Sequence, residues 1–372
     1  MSEAIEFPAA WADLNVVLCH DWLTGMRGGE RVLEVLCRAF PKAPILTLVC
    51  DANAISPVIR SHPIVPSWLQ RVPGATRHYR RLLPLFPSAI RRMRVPDADL
   101  LISTSHCVAK SVRVRPGMRH VCYCFTPMRY AWTFYDEYFG GSLLRRMAGR
   151  FLLPALRDWD RKTADGVNEF VAISEHVRDR IRRFYGRESR VVFPPANTAF
   201  FTPDPAVARG DFDLIVSALV PYKRVDLAVR AYSRSGWPLV VVGAGSERSR
   251  LEALAAPNVT FKGRLSDEDI RALYRTARLL VFPGEEDFGI VPLEAQACGC
   301  PVVAYRKGGA TETVRDGETG EFFGRQTEED LLGAVSRCAA RAWDARAIRA
   351  HAETFGTQAF VNGLAASIGA AP

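Results

Sequence analysis

At 372 residues the chain is too long for one ordinary domain and fits two of about 150–200 residues each. Its 48% hydrophobic and 24% charged residues describe a globular protein with a full-sized core, and no apolar run approaches the ~18–20 residues of a membrane span. The net charge of +9 is uneven, since residues 1–200 hold 29 Lys/Arg against 18 Asp/Glu and the remainder 20 against 22, so an anionic partner is expected for the first half. The start "MSEAIEFPAAWADL" is acidic and lacks a positively charged stretch, so no secretory signal is expected. Nine cysteines, an odd number, suit a reducing cytosol.

In chain order, "LNVVLCHDWL" (Leu14–Leu23) predicts a buried strand, and "ERVLEVLCRAF" a helix after a glycine-bearing turn. "DADLLISTSH", "RHVCYCFTP" and "GVNEFVAISEH" predict further strands, and "EHVRDRIRRFYG" a helix closed by glycine. "PPANTAFFTPDPAVARGDFD" (Pro194–Asp213) is proline-rich without helical periodicity and is expected to contain a linker. The alternation then restarts with strands in "FDLIVSALV", "PLVVVGAG", "RLLVFPG" and "PVVAY". Helices are expected in "RVDLAVRAYSRS", "SERSRLEALA", "DEDIRALYRTA" and "VPLEAQACG". "DARAIRAHAETFGTQAFVNGLAASI" reads as a terminal helix. Strands flanked by helices mean parallel sheets covered on both faces. The expected architecture is α/β, with two Rossmann-like doubly wound domains facing a cleft. The expected boundaries are 1–195, a linker at 196–212, a second domain at 213–350 and a C-terminal helix at 351–372 that packs back on the first domain.

Ligands of open parallel sheets bind at the carboxyl ends of the strands. "FPGEEDFGIVPLEAQACGCPVVAY" (Phe282–Tyr305) places Glu286 and Glu294 eight residues apart at such an end. A helix starting near Ile290, with Pro292 tolerated in its first turn, leaves the amides of Phe288, Gly289, Ile290 and Val291 unbonded behind the positive end of its dipole. That is an anion site suited to phosphate, and Gly289 permits close approach of a ligand. Carboxylates at its mouth can accept hydrogen bonds from sugar or ribose hydroxyls. By residue type alone, however, acidic residues simply favour helix N-termini.

The block "FPGEEDFGIVPLEAQACGCPVVAYRKGGATETVRDGETG" resembles the E-x7-E signature of retaining glycosyltransferases of the GT-B fold. "VSALVPYKRVDLAVRAY", "VVVGAGSERSRLEAL", "GMRGGERVLEVL" and "CYCFTPMRYAW" are similar to other blocks of that family in the same order. Within it the chain looks most like bacterial mannosyltransferases of O-antigen and exopolysaccharide assembly. The resemblance implies that Glu286 holds hydroxyls of the transferred sugar with help from the amides of Phe288 to Ile290, and that Glu294 binds the ribose. It implies that Lys223 neutralises the diphosphate, that Gly28 and Gly29 bring amides to it from the first domain, and that Gly243 and Gly245 line the nucleotide pocket. It also implies a nucleotide-sugar donor with GDP-mannose favoured, a polyprenyl-diphosphate-linked saccharide acceptor, and no cofactor or metal.

Two positions depart from the family: Ala218 stands where an arginine is usual and Phe125 where a histidine is usual, and Arg224, Arg129 and Arg27 are the candidate replacements. The departures keep open a second reading, a catalytically weak scaffold in a polysaccharide assembly complex. A dinucleotide enzyme is disfavoured, because "GAGSER" has Arg248 where a third glycine is wanted. The Asp-x-Asp triplets at Asp97, Asp158 and Asp211 are expected to be turn or helix-surface acids. Cys122/Cys124 and Cys298/Cys300 have spacings too short for zinc and are expected to be buried. His20 and His106 stand at strand ends from which they could reach the cleft, with a core or surface histidine the default reading. In "RVPGATRHYRRLLPLFPSAIRRMR" (Arg71–Arg94) seven arginines, Arg80, Arg81, Arg91 and Arg92 among them, interleave with apolar residues. The stretch reads either as a solvated arginine face over core leucines or as an element that meets an anionic membrane, which would place the protein peripherally on the cytoplasmic face of the plasma membrane. No nucleic-acid motif accompanies the charge.

Overall fold

The computed structural model describes residues 5–132 and 143–369. Two compact units divide the chain: Pro195–Ala359, and Ile5–Pro194 together with the segment from Phe360 onward. Each is a parallel sheet with helical crossovers.

The N-terminal unit has seven strands: β1 (Val16–His20), β2 (Ile45–Thr47), β3 (Ile64–Pro66), β4 (Leu100–Ser105), β5 (Arg119–Cys124), β6 (Glu169–Ala172) and β7 (Ser189–Val191). Their spatial order is β3-β2-β1-β4-β5-β6-β7, all parallel. Every residue of β1 and β4 is buried, as continuous apolar runs covered on both faces require. The helix Glu175–Tyr185 starts where Ser174 Oγ accepts from the Val177 amide at 3.1 Å.

The C-terminal unit has six: β8 (Asp213–Val216), β9 (Leu239–Val242), β10 (Val259–Gly263), β11 (Leu280–Phe282), β12 (Val302–Tyr305) and β13 (Gly320–Phe323). They run β10-β9-β8-β11-β12-β13, again all parallel. Helices Val225–Ser235 and Glu328–Ala340 cover one face through Leu227, Ala231, Leu331 and Val335.

Two expectations need correction. The terminal segment forms two helices, Ala345–Glu353 and Thr357–Ile368, broken at Gly356, whose amide turns back to the Glu353 carbonyl at 3.0 Å. The second carries Phe360 edge-on to Tyr123, ring centres 5.5 Å apart, and its Ser367 carbonyl accepts from Arg119 at 2.7 Å. The Asp-x-Asp acids are not all on turns or surfaces either. Asp160 is fully buried against Lys110 Nζ at 3.0 Å. Asp213 is buried under a bidentate pair with Arg278 at 2.8 and 2.7 Å and accepts from Tyr232 Oη at 2.6 Å. A buried carboxylate needs such partners. Cys122, Cys124, Cys298 and Cys300 are free and buried.

Candidate active site

In the C-terminal sheet the strand order reverses between β8 and β11, where open α/β sheets bind ligands. The loops leaving these two strands carry Lys223 and Glu286. Lys223 ends a one-turn helix, Pro221–Lys223, and its Nζ forms an ion pair with Glu286 Oε2. Both side chains are mostly covered, 15% and 20% exposed. The sequence separates them by more than sixty residues; the parallel crossover brings them together.

Glycines set how closely these loops pack. A Cβ on Gly284 would lie 2.9 Å from the Lys223 Cα and carbonyl oxygen, so only glycine lets the two turns touch. A Cβ on Gly309 would lie 2.2 Å from Phe288 Cα, and the Gly309 amide donates to the Glu286 carbonyl at 2.8 Å. The "RKGGATE" loop after β12 thus buttresses Glu286 and Phe288 from behind.

The helix Ile290–Ala297 begins at Gly289, whose φ of 106° a side chain would oppose. No side chain caps this end, and nothing among the described residues accepts from the Gly289 or Ile290 amides. Bare amides at the positive end of a helix form an anion site. Phe288 is buried at its entrance. Glu294, one turn in, accepts from Tyr274 Oη at 3.3 Å. Burial, with the Glu294 charge behind it, pushes the Tyr274 phenol well above its usual range, so the phenol remains a donor.

Arg224 faces elsewhere. It is the one non-glycine residue with positive φ among those described, at 52°, and its guanidinium donates to Gln326 Oε1 at 2.8 Å and to Asp226 at 3.3 Å. Gln326 Nε2 in turn donates to the Pro283 carbonyl at 2.9 Å, so Arg224 braces the loop that carries Glu286. Gly243 and Gly245 pack against the backbone of the loop leaving β8, where a Cβ would come within 1.8 Å of the Ser217 oxygen and 2.1 Å of the Leu219 oxygen. Close backbone packing is reason enough for glycine at both.

In the N-terminal unit, Gly28 and Gly29 open the helix Gly28–Ala39, where Glu30 Oε2 accepts from the Arg27 amide at 3.0 Å. A Cβ on Gly28 would meet open space, whereas one on Gly29 would be 3.3 Å from the Phe125 ring. Arg80, Arg81, Arg91 and Arg92 are exposed, above the buried Leu83, Phe86 and Ile90 of the same stretch. Arg81, Arg91 and Arg92 have no carboxylate partner among the described residues; Arg80 lies over the Tyr79 ring at 5.6 Å. Among the described residues no three His, Cys, Asp or Glu side chains cluster to hold a metal, and no helix is long and apolar enough to cross a membrane.

Sequence reasoning missed Tyr274 and Gln326, whose partners are distant in sequence. It also missed Asp21, although a lone acid directly after a buried strand was a visible signal in "LCHDW".

Residues 26–200 match the model of Glycosyltransferase Family 4 and residues 208–352 that of Glycosyl transferases group 1. A D-inositol 3-phosphate glycosyltransferase of Acidothermus cellulolyticus is 38% identical over 215 residues, 48% of each chain. A GDP-mannose-dependent alpha-(1-6)-phosphatidylinositol monomannoside mannosyltransferase of Mycobacterium tuberculosis is 32% identical over 218 residues, 50% of this chain and 57% of that one. The chain thus spans about half the length of the curated relatives it matches. Anabaena Alr3699/HepE in complex with UDP-glucose superimposes with a TM-score of 0.71 at 17% identity, covering 95% of this chain and 99% of that one. The chain thus matches the Glycosyltransferase Family 4 model and then the Glycosyl transferases group 1 model, on two parallel-sheet Rossmann-like units of the GT-B fold.

Proposed function

We propose that this chain transfers a hexose from a nucleotide sugar to a hydroxyl of a saccharide acceptor, retaining the anomeric configuration and using no metal. The observation that carries the reading is the Lys223–Glu286 ion pair beside the uncapped start of the Ile290–Ala297 helix, at the switch point of the C-terminal sheet. A diphosphate bound on the bare amides competes for Lys223 and releases Glu286, whose carboxylate then accepts from hydroxyls of the sugar. The bond from the anomeric carbon to the diphosphate oxygen breaks and its electron pair leaves with the diphosphate. The acceptor oxygen bonds the same carbon from the same face and gives its proton to the departing diphosphate. Lys223 and the amides are aimed at where negative charge grows, the arrangement that lowers such barriers most. In this reading Glu294, which accepts from Tyr274, takes ribose hydroxyls.

GDP-mannose is the favoured donor, supported by the mycobacterial relative. A lipid-linked acceptor of surface polysaccharide assembly is favoured by the exposed arginines of Arg71–Arg94, which suit an anionic bilayer at the cytoplasmic face. The second reading, a catalytically weak scaffold, is favoured by Ala218, which is exposed and puts no cation beside Lys223, and by Phe125.

Calorimetric titration of GDP- and UDP-hexoses separates the two. Binding and turnover that Lys223→Ala and Glu286→Ala abolish support the transferase. Binding to no nucleotide sugar supports the scaffold, and turnover unaffected by the paired substitutions refutes the site.

A further inference from the structure

The N-terminal sheet has its own switch point, between β1 and β4, and the loops leaving those strands carry a second polar assembly. Asp21, directly after β1, is fully buried. Its Oδ2 accepts from the amides of His106 and Cys107 at 2.7 and 2.9 Å, and its Oδ1 from those of Val108 and Ala109 at 2.6 and 2.7 Å. Four donors on one carboxylate hold the turn after β4 in a single shape. That turn sets His106 with Nδ1 3.1 Å from Asp21 Oδ2, while a quarter of its side chain, 26%, remains exposed. Beside it, His20 is fully buried, with Nδ1 2.7 Å from Thr104 Oγ1 and Nε2 facing the buried Glu30 Oε1 at 3.9 Å. Trp22 meets His106 edge-on at 4.4 Å, and Phe125 lies 6.2 Å away, ring centre to ring centre.

We propose that Asp21 and His106 form a hydroxyl-binding site for the saccharide acceptor, in which Nδ1–H donates to Asp21 and Nε2, on a side chain that is a quarter exposed, accepts a hydrogen bond from an acceptor hydroxyl. The carboxylate fixes the tautomer, because Asp21 offers only acceptors to Nδ1. Burial holds the imidazole neutral, its pKa lowered to about 4 despite the Asp21 charge, with His20 and Arg129 acting in the same direction and Glu30 against it. A neutral ring with a free lone pair suits a hydroxyl, whereas a phosphate would require a donor there. The identity of the ligand as an acceptor rests on the transferase reading; the tautomer and the site do not.

The test is nitrogen NMR of the full chain labelled in histidine, with methyl hexosides and their disaccharides as probes. The free protein is expected to show His106 protonated at Nδ1 and bare at Nε2, and saturating glycoside to shift the Nε2 resonance. His106→Ala is expected to weaken glycoside binding about three- to tenfold, as loss of one hydrogen bond does. His106→Gln, which keeps an acceptor oxygen, is expected to recover most of it, with both variants' thermal midpoints near that of the parent. Calorimetry with GDP- and UDP-hexoses on the same variants reports the donor site separately. A proton on Nε2 in the free protein, or a glycoside response identical in parent and His106→Ala, overturns the proposal while leaving the donor site standing. Failure of every nucleotide sugar to bind the parent overturns the transferase reading and with it the acceptor's identity.

Discussion

Replacing Lys223 by Met tests whether the ion pair works as a unit. In the ligand-free protein the change leaves the Glu286 carboxylate, 20% exposed, without its cation. A partly buried carboxylate stripped of its partner costs about 1–3 kcal/mol. The loss falls toward the lower end, because water reaches Glu286. For a unit of this size that lowers the thermal midpoint by about 2–4 °C per kcal/mol. Glu286→Gln alone likewise leaves the Lys223 ammonium, 15% exposed, without its counter-ion, so the double variant Lys223→Met/Glu286→Gln, which strands neither charge, is expected to be more stable than the sum of the singles. The coupling is expected to be about 0.5–3 kcal/mol, as for contacting residues. Turnover, followed as nucleoside diphosphate released, is expected to fall about 10²–10³-fold with Lys223→Met, the usual effect of removing one preorganised group from a developing anion. A double-mutant cycle on both quantities is the assay. Stabilities that add within about 0.5 kcal/mol, together with turnover of Lys223→Met equal to that of the parent, would falsify the assignment of this pair to the reacting diphosphate.

Further predictions concern the surroundings. Gly309→Ala forces a methyl to within 2.2 Å of Phe288 Cα, so the Glu286 loop must move; nucleotide-sugar affinity by calorimetry is expected to drop with little change in secondary structure by circular dichroism. Lys110→Met leaves Asp160 buried and uncompensated and is expected to destabilise the protein by about 3–5 kcal/mol, read as a fall in thermal midpoint. His106 and His120 are held neutral in the folded chain, with pKa values near 4 and near 3 against an ordinary 6.5, both through burial. Their contribution is full above pH 6.5 and lost as pH falls below it, by up to about 1.4 kcal/mol per histidine per pH unit, which denaturation at stepped pH should reveal and His120→Gln should reduce. Reversing Arg80, Arg81, Arg91 and Arg92 to Glu is expected to abolish flotation with vesicles containing anionic lipid, at about 1 kcal/mol per charge removed, and to leave turnover on a soluble acceptor intact.

Much of the fold was legible in the sequence because buried parallel strands such as "VVLCH" and "LLIS" read as short, nearly unbroken apolar runs. The short edge strands Ile64–Pro66 and Ser189–Val191 carry too few residues for any period to register. The Glu286–Glu294 spacing marked the C-terminal site because both acids lie on one continuous strand–loop–helix segment. Resemblance put Lys223 and Glu286 in one site with separate roles, but their pairing depends on β8 and β11 being neighbours, a relation that local pattern cannot encode. Arg224 was expected as a substitute cation for the diphosphate, and its bracing role was not legible, because its left-handed backbone turns the guanidinium toward Gln326, about a hundred positions along the chain. Asp160 and Asp213 misled because the cations that neutralise them, Lys110 and Arg278, are equally remote.

The helix Thr357–Ile368 begins in one unit and ends in the other, so the N-terminal unit is assembled from two stretches of chain. Its Arg119 and Tyr123 must wait for Ser367 and Phe360, which the ribosome adds only after residues 195–359. At about 5–20 residues per second that interval is roughly 8–33 s. The intervening unit, contiguous in sequence, can close first. During those seconds a nearly finished sheet stands with the seat of Phe360 empty, and a nascent chain halted just short of it should be the form most dependent on chaperones.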